Sequence, residues 1–382
     1  MQGTDPAPGR SGPRLNLAFL RGPDGWPYLL VPLIPAAVAL ELAHAEATIV
    51  FAASALGIIP TAALMGRATE ELAAKSGPGI GGLLNVTFGN APELIIALFA
   101  LNEGLQEVVK ASIIGSILGN VLLVMGAAML FGGLRRDKQT FSATSASVQS
   151  TMLLLAATAM VMPAIFELVE GKGLPDPGAE IVNYGPTVEH LSLATAIVLM
   201  GTYVAGLFFS LKTHRAIFNP AYEEEEDTWG WSVRTAVIAL AIAGVAVGLM
   251  SEILVGSITE ASESVGLSEF FIGVIVVAIV GNAAEHWVAV LVAVKNKMDL
   301  AVNIAIGSSA QIALFVAPIL VIASFFIGAG PMPLVFNGFE LGAVLVAILV
   351  ANYVTQDGES TWFEGVQLLA LYAILGIAFY YA

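Results

Sequence analysis

Eleven runs of apolar residues, each long enough to cross roughly 30 Å of hydrocarbon, constrain this chain more than any other feature. They fall near residues 28–44, 48–66, 80–101, 109–132, 147–168, 191–211, 234–256, 269–294, 300–327, 334–353 and 363–381. In lipid a spanning segment must satisfy its own backbone N–H and C=O groups, so runs of this kind fold as helices. Side chains are 57% hydrophobic and only 12% charged, with a mean hydropathy of +0.84, outside the range of soluble domains. The expected fold class is an all-α polytopic membrane protein with eleven transmembrane helices.

The chain has no cysteine, which removes disulfides, thiolate metal ligands and thiol nucleophiles. Its formal charge of −15 argues against a nucleic-acid partner, while an acidic balance concentrates cations at a pore mouth. Residues 1–27 are rich in Gly and Pro and carry Arg10, Arg14 and Arg21. They lack an apolar core ending in a small-residue cleavage site and are expected to be a disordered cytoplasmic tail, not a secretory signal.

Lys and Arg in short connections stay cytoplasmic. With the N-terminus inside, eleven spans put Arg67, Lys75, Arg135, Arg136, Lys138, Lys212, Arg215, Arg234, Lys295 and Lys297 on the cytoplasmic side with the arginines of the tail. Only Lys110 and Lys172 fall outside. The expected location is the cell (inner) membrane.

Two runs carry the same phrase, Gly89-Asn90-Ala91-Pro92-Glu93 and Gly281-Asn282-Ala283-Ala284-Glu285. Gly115-Ser116 follows Glu93 by 23 residues, and Gly307-Ser308 follows Glu285 by 23. The chain therefore reads as a duplication: an added helix at 28–46, a first five-helix repeat at 47–212, an acidic cytoplasmic connection at 213–233 and a second repeat at 234–382. An odd number of helices per copy inverts one copy relative to the other, an architecture that holds its substrate at the midplane between repeats. Glu223, Glu224, Glu225, Glu226 and Asp227 in the connection read either as a solvated spacer or as a cation-collecting element.

A carboxylate at membrane depth is costly and marks an ion path. Asn90 and Glu93, like Asn282 and Glu285, are three apart and share a helix face. Pro92 crowds the carbonyl of Phe88 and Gly89 lets the chain bend, so free backbone carbonyls of Phe88 and Gly89 are expected beside Glu93. These are hard oxygen donors, suited to Ca²⁺ and less to Na⁺ or Mg²⁺; the hydroxyls of Ser116 and Ser308 and water can complete the six to eight ligands that Ca²⁺ takes. Ser112, Ser116 and Asn120 form one stripe and Asn303, Gly307 and Gln311 another; Asn120 and Gln311 are expected at the site, and the stripe glycines at helix packing. No Lys or Arg shares a span with either glutamate, so a cation or protons must neutralise the pair, and competition between the two is the simplest route to antiport. His286 reads as a proton acceptor, a hydrogen-bond partner or filler.

These residues closely resemble the cation/proton exchangers of the calcium/cation antiporter superfamily. Residues 62–102 and 252–316 are similar to that family's two signature regions, and the resemblance extends from about residue 28 to the C-terminus. Ala284 in the position of Pro92, and His286 after the second glutamate, look like the proton-exchanger branch. The resemblance implies Glu93 and Glu285 as Ca²⁺ ligands and proton carriers, with Asn90, Asn282, Ser116, Ser308 and Gln311 around them; His286, beside Glu285, is expected as a further proton carrier from its position alone. It also implies alternating access by sliding of gating helices, with Glu70 and Glu260 toward the cytoplasmic and external approaches. The expected function is Ca²⁺ export in exchange for H⁺, with no cofactor, the bilayer as partner and the oligomeric state left open, a homo-oligomer included. Na⁺ as the coupling ion, or a passive cation channel, are the alternatives. An intramembrane metallohydrolase needs a His-Glu-x-x-His helix or a nucleophile with its base, and neither is present.

Overall fold

The computed structural model describes residues 17–20, 22, 25–179, 184–214 and 229–382, with the side chains of 17, 18, 77–79 and 86 outside the description. The acidic run 223–227 and most of the expected N-terminal tail lie outside the described residues. Elsewhere the apolar runs become helices: α1 Trp26–Leu42, α2 Ala47–Ser76, α3 with arms Ile80–Gly89 and Ala91–Asn102, α4 Gln106–Gly133, α5 Ala143–Val169, α6 Pro186–Thr213, α7 Val233–Val265, α8 Glu269–Val294, α9 Met298–Ala323, α10 Gly338–Val354 and α11 Trp362–Tyr381. Among the described residues, eight are long and apolar enough to cross a membrane, and nine if the arms of α3 count as one span; α1 and α10 are shorter. The protein is mostly helical, with a single antiparallel pair of two-residue strands among the described residues, β1 Gln139–Thr140 and β2 Glu359–Ser360.

The connections sort into two sets. At one end, β1 precedes α5, β2 precedes α11, and Gln139 Nε2 donates to the carbonyl of Ala293 at 2.9 Å, near the turn between α8 and α9. At the other end, Gln106 Nε2 donates to the Gly330 carbonyl at 2.8 Å and the Leu334 N–H to Ser192 Oγ at 3.0 Å. Successive helices from α3 onward therefore run back and forth between the two ends. α4 and α9 form the centre, with 83% and 72% of their apolar windows buried, whereas α6 and α11, at 22% and 17%, turn outward.

Two breaks matter for the site. Helical structure is continuous from Ala47 to Gly89, yet Gly81 is pressed against the carbonyl of Ala73, eight residues back. In a straight helix those residues would be about 12 Å apart, so the chain folds over between α2 and α3. The arms of α3 then meet at 42°. Asn90, at φ −101° and ψ 19°, leaves the helix, and Pro92 falls in the first turn of the new arm, where its missing N–H costs nothing. The Asn90 N–H turns back to the Phe88 carbonyl, so that carbonyl is engaged by the cap and not free as expected. π-helical stretches interrupt α4 at Gly119–Val124 and α9 at Ile312–Val316, a few residues after Gly115-Ser116 and Gly307-Ser308 respectively; such bulges recur at functional sites.

The run expected as helix over 334–353 begins differently. Residues 332–337 are buried without helical structure, because Pro331 and Pro333 lack an N–H and the amides of Met332 and Leu334 are taken by Ser324 and Ser192 hydroxyls. The helix starts only after Asn337, in a capping box with Glu340.

Candidate functional site

The two motifs face each other across α3 and α8. A Cβ added at Gly281 would stand 3.5 Å from Glu93 Cγ, and one at Gly89 would stand 3.5 Å from Glu285 Oε1. Each glycine thus lies against the other motif's glutamate. The amides reach the helix that follows the other motif: Asn90 Nδ2 donates to Gln311 Oε1 on α9 at 2.5 Å, and Asn282 Nδ2 donates to Ser116 Oγ on α4 at 3.1 Å. Ser308 Oγ donates to Glu285 Oε2 at 2.9 Å.

These bonds consume the amide donors and leave acceptors over. Asn90 Oδ1, Asn282 Oδ1 and Glu93 Oε2 are buried and have no hydrogen-bond partner. Buried polar atoms are nearly always paired, so three orphaned oxygens in the two repeated phrases require a positively charged or donating guest. No three His, Asp or Glu side chains converge to hold a metal ion among the described residues. A cation here would be held by two carboxylates, amide oxygens and water.

One cavity of about 340 Å³ reaches the two glutamates. Glu93, Glu285, Ser308, Phe88, Gly89 and Gly281 line its inner part, and Arg67, Glu70, Tyr28 and Trp229 its outer part. Asn90, Asn282, Ser116, Gln311, His286 and Asn120 do not line it and stand behind the carboxylates. His286 Nε2 is 3.1 Å from Asn120 Oδ1, a bond in which the imidazole N–H donates. Glu260 is exposed and lies outside this cavity. It sits near the α7 end where Thr48 meets Ser264, opposite the Glu70 end of the antiparallel α2–α7 pair.

Several lining residues escape sequence reasoning. Asn85 had a signal, since it lies on the 85–89–93 stripe of one helix face. Arg67, held over the Trp229 ring at 4.5 Å, and Trp229, whose N–H donates to Glu71, had none, because a distant connection brings them together. Gln149 is also new: its Nε2 donates to Asn303 Oδ1 at 2.6 Å and its Oε1 packs on Gly307, beside Ser308.

Helices of membrane-crossing length around a paired-carboxylate oxygen centre, reached by one cavity, define a polytopic membrane protein that handles cations. The chain matches the sodium/calcium exchanger protein family over residues 46–212 and 235–381, and it belongs to that family, which consists of transporters. It is 47% identical over 351 residues to the Ca²⁺/H⁺ antiporter ChaA of Bacillus subtilis, covering 91% of this chain and 96% of the relative. It is 46% identical over 355 residues to a Ca²⁺/H⁺ antiporter of Synechocystis, covering 87% and 91%. The solved structure of native YfkE superposes with a TM-score of 0.79 at 42% identity, over 93% of this chain and all of that one. The H⁺/Ca²⁺ exchanger CAX shares the fold, with a TM-score of 0.67 at 16% identity over 94% and 92% of the two chains.

Proposed function

We propose that this protein is a secondary active transporter that exports Ca²⁺ from the cytoplasm in exchange for H⁺, with no enzymatic step and no cofactor. The observation that carries the reading is the set of orphaned oxygens in the two repeated phrases, Asn90 Oδ1, Asn282 Oδ1 and Glu93 Oε2, with Glu93 and Glu285 lining one cavity. Two bidentate carboxylates and two amide oxygens supply about six hard ligands, the lower bound for Ca²⁺. The names of relatives at 46% and 47% identity support Ca²⁺ and H⁺ as the exchanged ions.

In this reading the empty pair, at −2, is not tolerated at membrane depth, because each desolvated ion costs several kcal/mol. One Ca²⁺ or two protons neutralise it, and the two states exclude each other. Glu93 and Glu285 are the shared ligands and proton carriers. Asn90 and Asn282 complete the cage, the Gly89 backbone oxygen and the second lone pair of the Phe88 carbonyl are candidate ligands, and Gln311, Ser116 and Ser308 fix the orientation of the cage. His286, tethered to Asn120, is the proton relay beside Glu285.

Eleven spans arranged as an added helix (28–46) and two inverted five-helix repeats (47–212 and 234–382) around a cytoplasmic connection (213–233) belong to the same proposal. The sorting of connections into two ends supports it, as do the π-helical stretches at matching sites. With the N-terminus cytoplasmic, the cavity opens inward past Glu70, and Glu260 lies on the external approach. Sliding of α2 and α7 then exposes the site alternately.

The test is Ca²⁺ uptake into proteoliposomes under an inside-acid gradient, a sodium gradient or none, for the wild type, Glu93→Gln and Glu285→Gln. Proton-driven uptake lost in both variants supports the proposal. Uptake that follows sodium makes Na⁺ the coupling ion, and uptake without any counter-ion that survives both substitutions makes the protein a channel.

A further inference from the structure

At the end opposite the cavity mouth, a second group of ionisable side chains is buried without a role in the exchange site. Glu107 and Lys110 on α4 form an ion pair, with 3% and 1% of their surface exposed. Lys110 Nζ also donates to the Val335 carbonyl at 3.0 Å, and so holds the buried segment 332–337 against α4. Glu340, in the first turn of α10, is fully buried. Its Oε2 accepts the Asn337 N–H at 2.9 Å, but its Oε1 has no partner, and it makes no ion pair among the described residues.

The groups facing Glu340 are few. α4 offers Glu107 and Lys110, both within electrostatic reach, and Glu107 Oε2 is itself unpartnered. α5 offers Glu167, already held by Lys172 at 3.2 Å. The connection before α6 offers Tyr184, whose hydroxyl is unpartnered and whose ring lies 5.9 Å from Lys110 Nζ. The glutamate at the start of α11, Glu364, caps its own helix at the other end. One lysine thus serves two buried carboxylates, and it is committed to Glu107. A helix N-terminus offsets part of a negative charge, yet a bare, buried carboxylate oxygen remains costly. With no three-ligand metal site here among the described residues, the guest that removes the charge is a proton.

We propose that Glu340 is a proton-binding site separate from Glu93 and Glu285, and that its proton keeps Lys110 on Glu107 and Val335 and so seals segment 332–337 against α4. When Glu340 loses the proton, its carboxylate competes with Glu107 for Lys110, and segment 332–337 loosens. The seal is therefore strongest at low pH and weakens as pH rises through the titration of Glu340.

The test uses the whole protein in lipid with saturating Ca²⁺, so that the exchange carboxylates are ionised, and reads no transport. Infrared spectra should show a protonated-carboxyl C=O band at neutral pH that is lost in Glu340→Gln. Amide exchange of 332–337, corrected for intrinsic rates, should rise by up to about tenfold per pH unit as pH approaches that titration in the wild type, level off above it, and stay flat in Glu340→Gln. Absence of the band, or identical exchange in the two proteins, overturns the proposal. Should Glu340→Gln not fold, Glu340→Asp decides: the acid band must shift in frequency while exchange keeps its pH dependence, and an unshifted band sinks the assignment.

Discussion

Gly281 of the second motif lies against Glu93 of the first, close enough that a Cβ at 281 would touch Glu93 Cγ at 3.5 Å and Ile96 Cδ1 at 3.6 Å. The relationship is reciprocal between Gly89 and Glu285, where a Cβ would stand 3.5 Å from Glu285 Oε1, so the glycine of each phrase lies against the glutamate of the other.

Glycines of this chain should therefore fail in two different ways. Gly281→Ala meets only ordinary contacts and gains helix propensity, about 1 kcal/mol, so its melting point in detergent should hold or rise, while transport falls because the methyl takes the space beside Glu93 that the ion needs. Gly115→Ala runs into the backbone of Val274 and should lose about 1–3 kcal/mol of stability through overpacking. Gly256→Ala, with nothing within 4 Å, is the control. Thermal melts of the three variants, ranked otherwise, would refute this division.

Ser308 Oγ gives Glu285 a charge-assisted hydrogen bond at 2.9 Å. Removing it in Ser308→Ala should cost about 1.5–3 kcal/mol, seen as a tenfold or greater loss of apparent Ca²⁺ affinity at fixed pH. Calorimetric titration checks this, and unchanged affinity would show that the bond does not support the ion-bound state.

Thr48 Oγ1 and Ser264 Oγ stand 2.5 Å apart where α2 meets α7, and the chain has no cysteine of its own. Thr48→Cys with Ser264→Cys should form a disulfide under oxidation, since side chains this close fall within its reach. If α2 and α7 must slide, oxidised vesicles stop taking up Ca²⁺ and a reductant restores uptake. Full uptake in the cross-linked protein would place the moving parts elsewhere.

Outside the spans, the ammonium of Lys172 is held by Glu170 at 3.1 Å and Glu167 at 3.2 Å, hydrogen bonds that raise its pKa above the usual lysine value. Because the folded value is raised, the stability it contributes is complete below the unfolded lysine pKa and is lost as pH climbs through the raised one. Alkaline melts of the wild type and Lys172→Met should therefore converge at high pH. A gap that persists there would contradict the linkage.

Much of this was legible in the sequence because the bilayer narrows the choices. A buried backbone must close its own hydrogen bonds, so apolar length alone foretold α2 and α4 through α9, and a repeated Gly-Asn-Ala-x-Glu named both carboxylates without any contact being known. Pro92 announced the break in α3, though not that Asn90 would turn its N–H onto the Phe88 carbonyl. What the sequence could not determine were relations between distant segments: Asn90 with Gln311, Asn282 with Ser116, Trp229 over Arg67, and Lys110 on the carbonyl of Val335. Periodicity reports which face of a helix is apolar, but not which neighbour meets that face or at what depth. That choice is made by packing, through close approaches such as Gly115 on Val274 and by the need of each buried donor for an acceptor. The sequence supplied the two carboxylates and their spacing; the tertiary structure alone decided that they face each other across α3 and α8 and line one cavity.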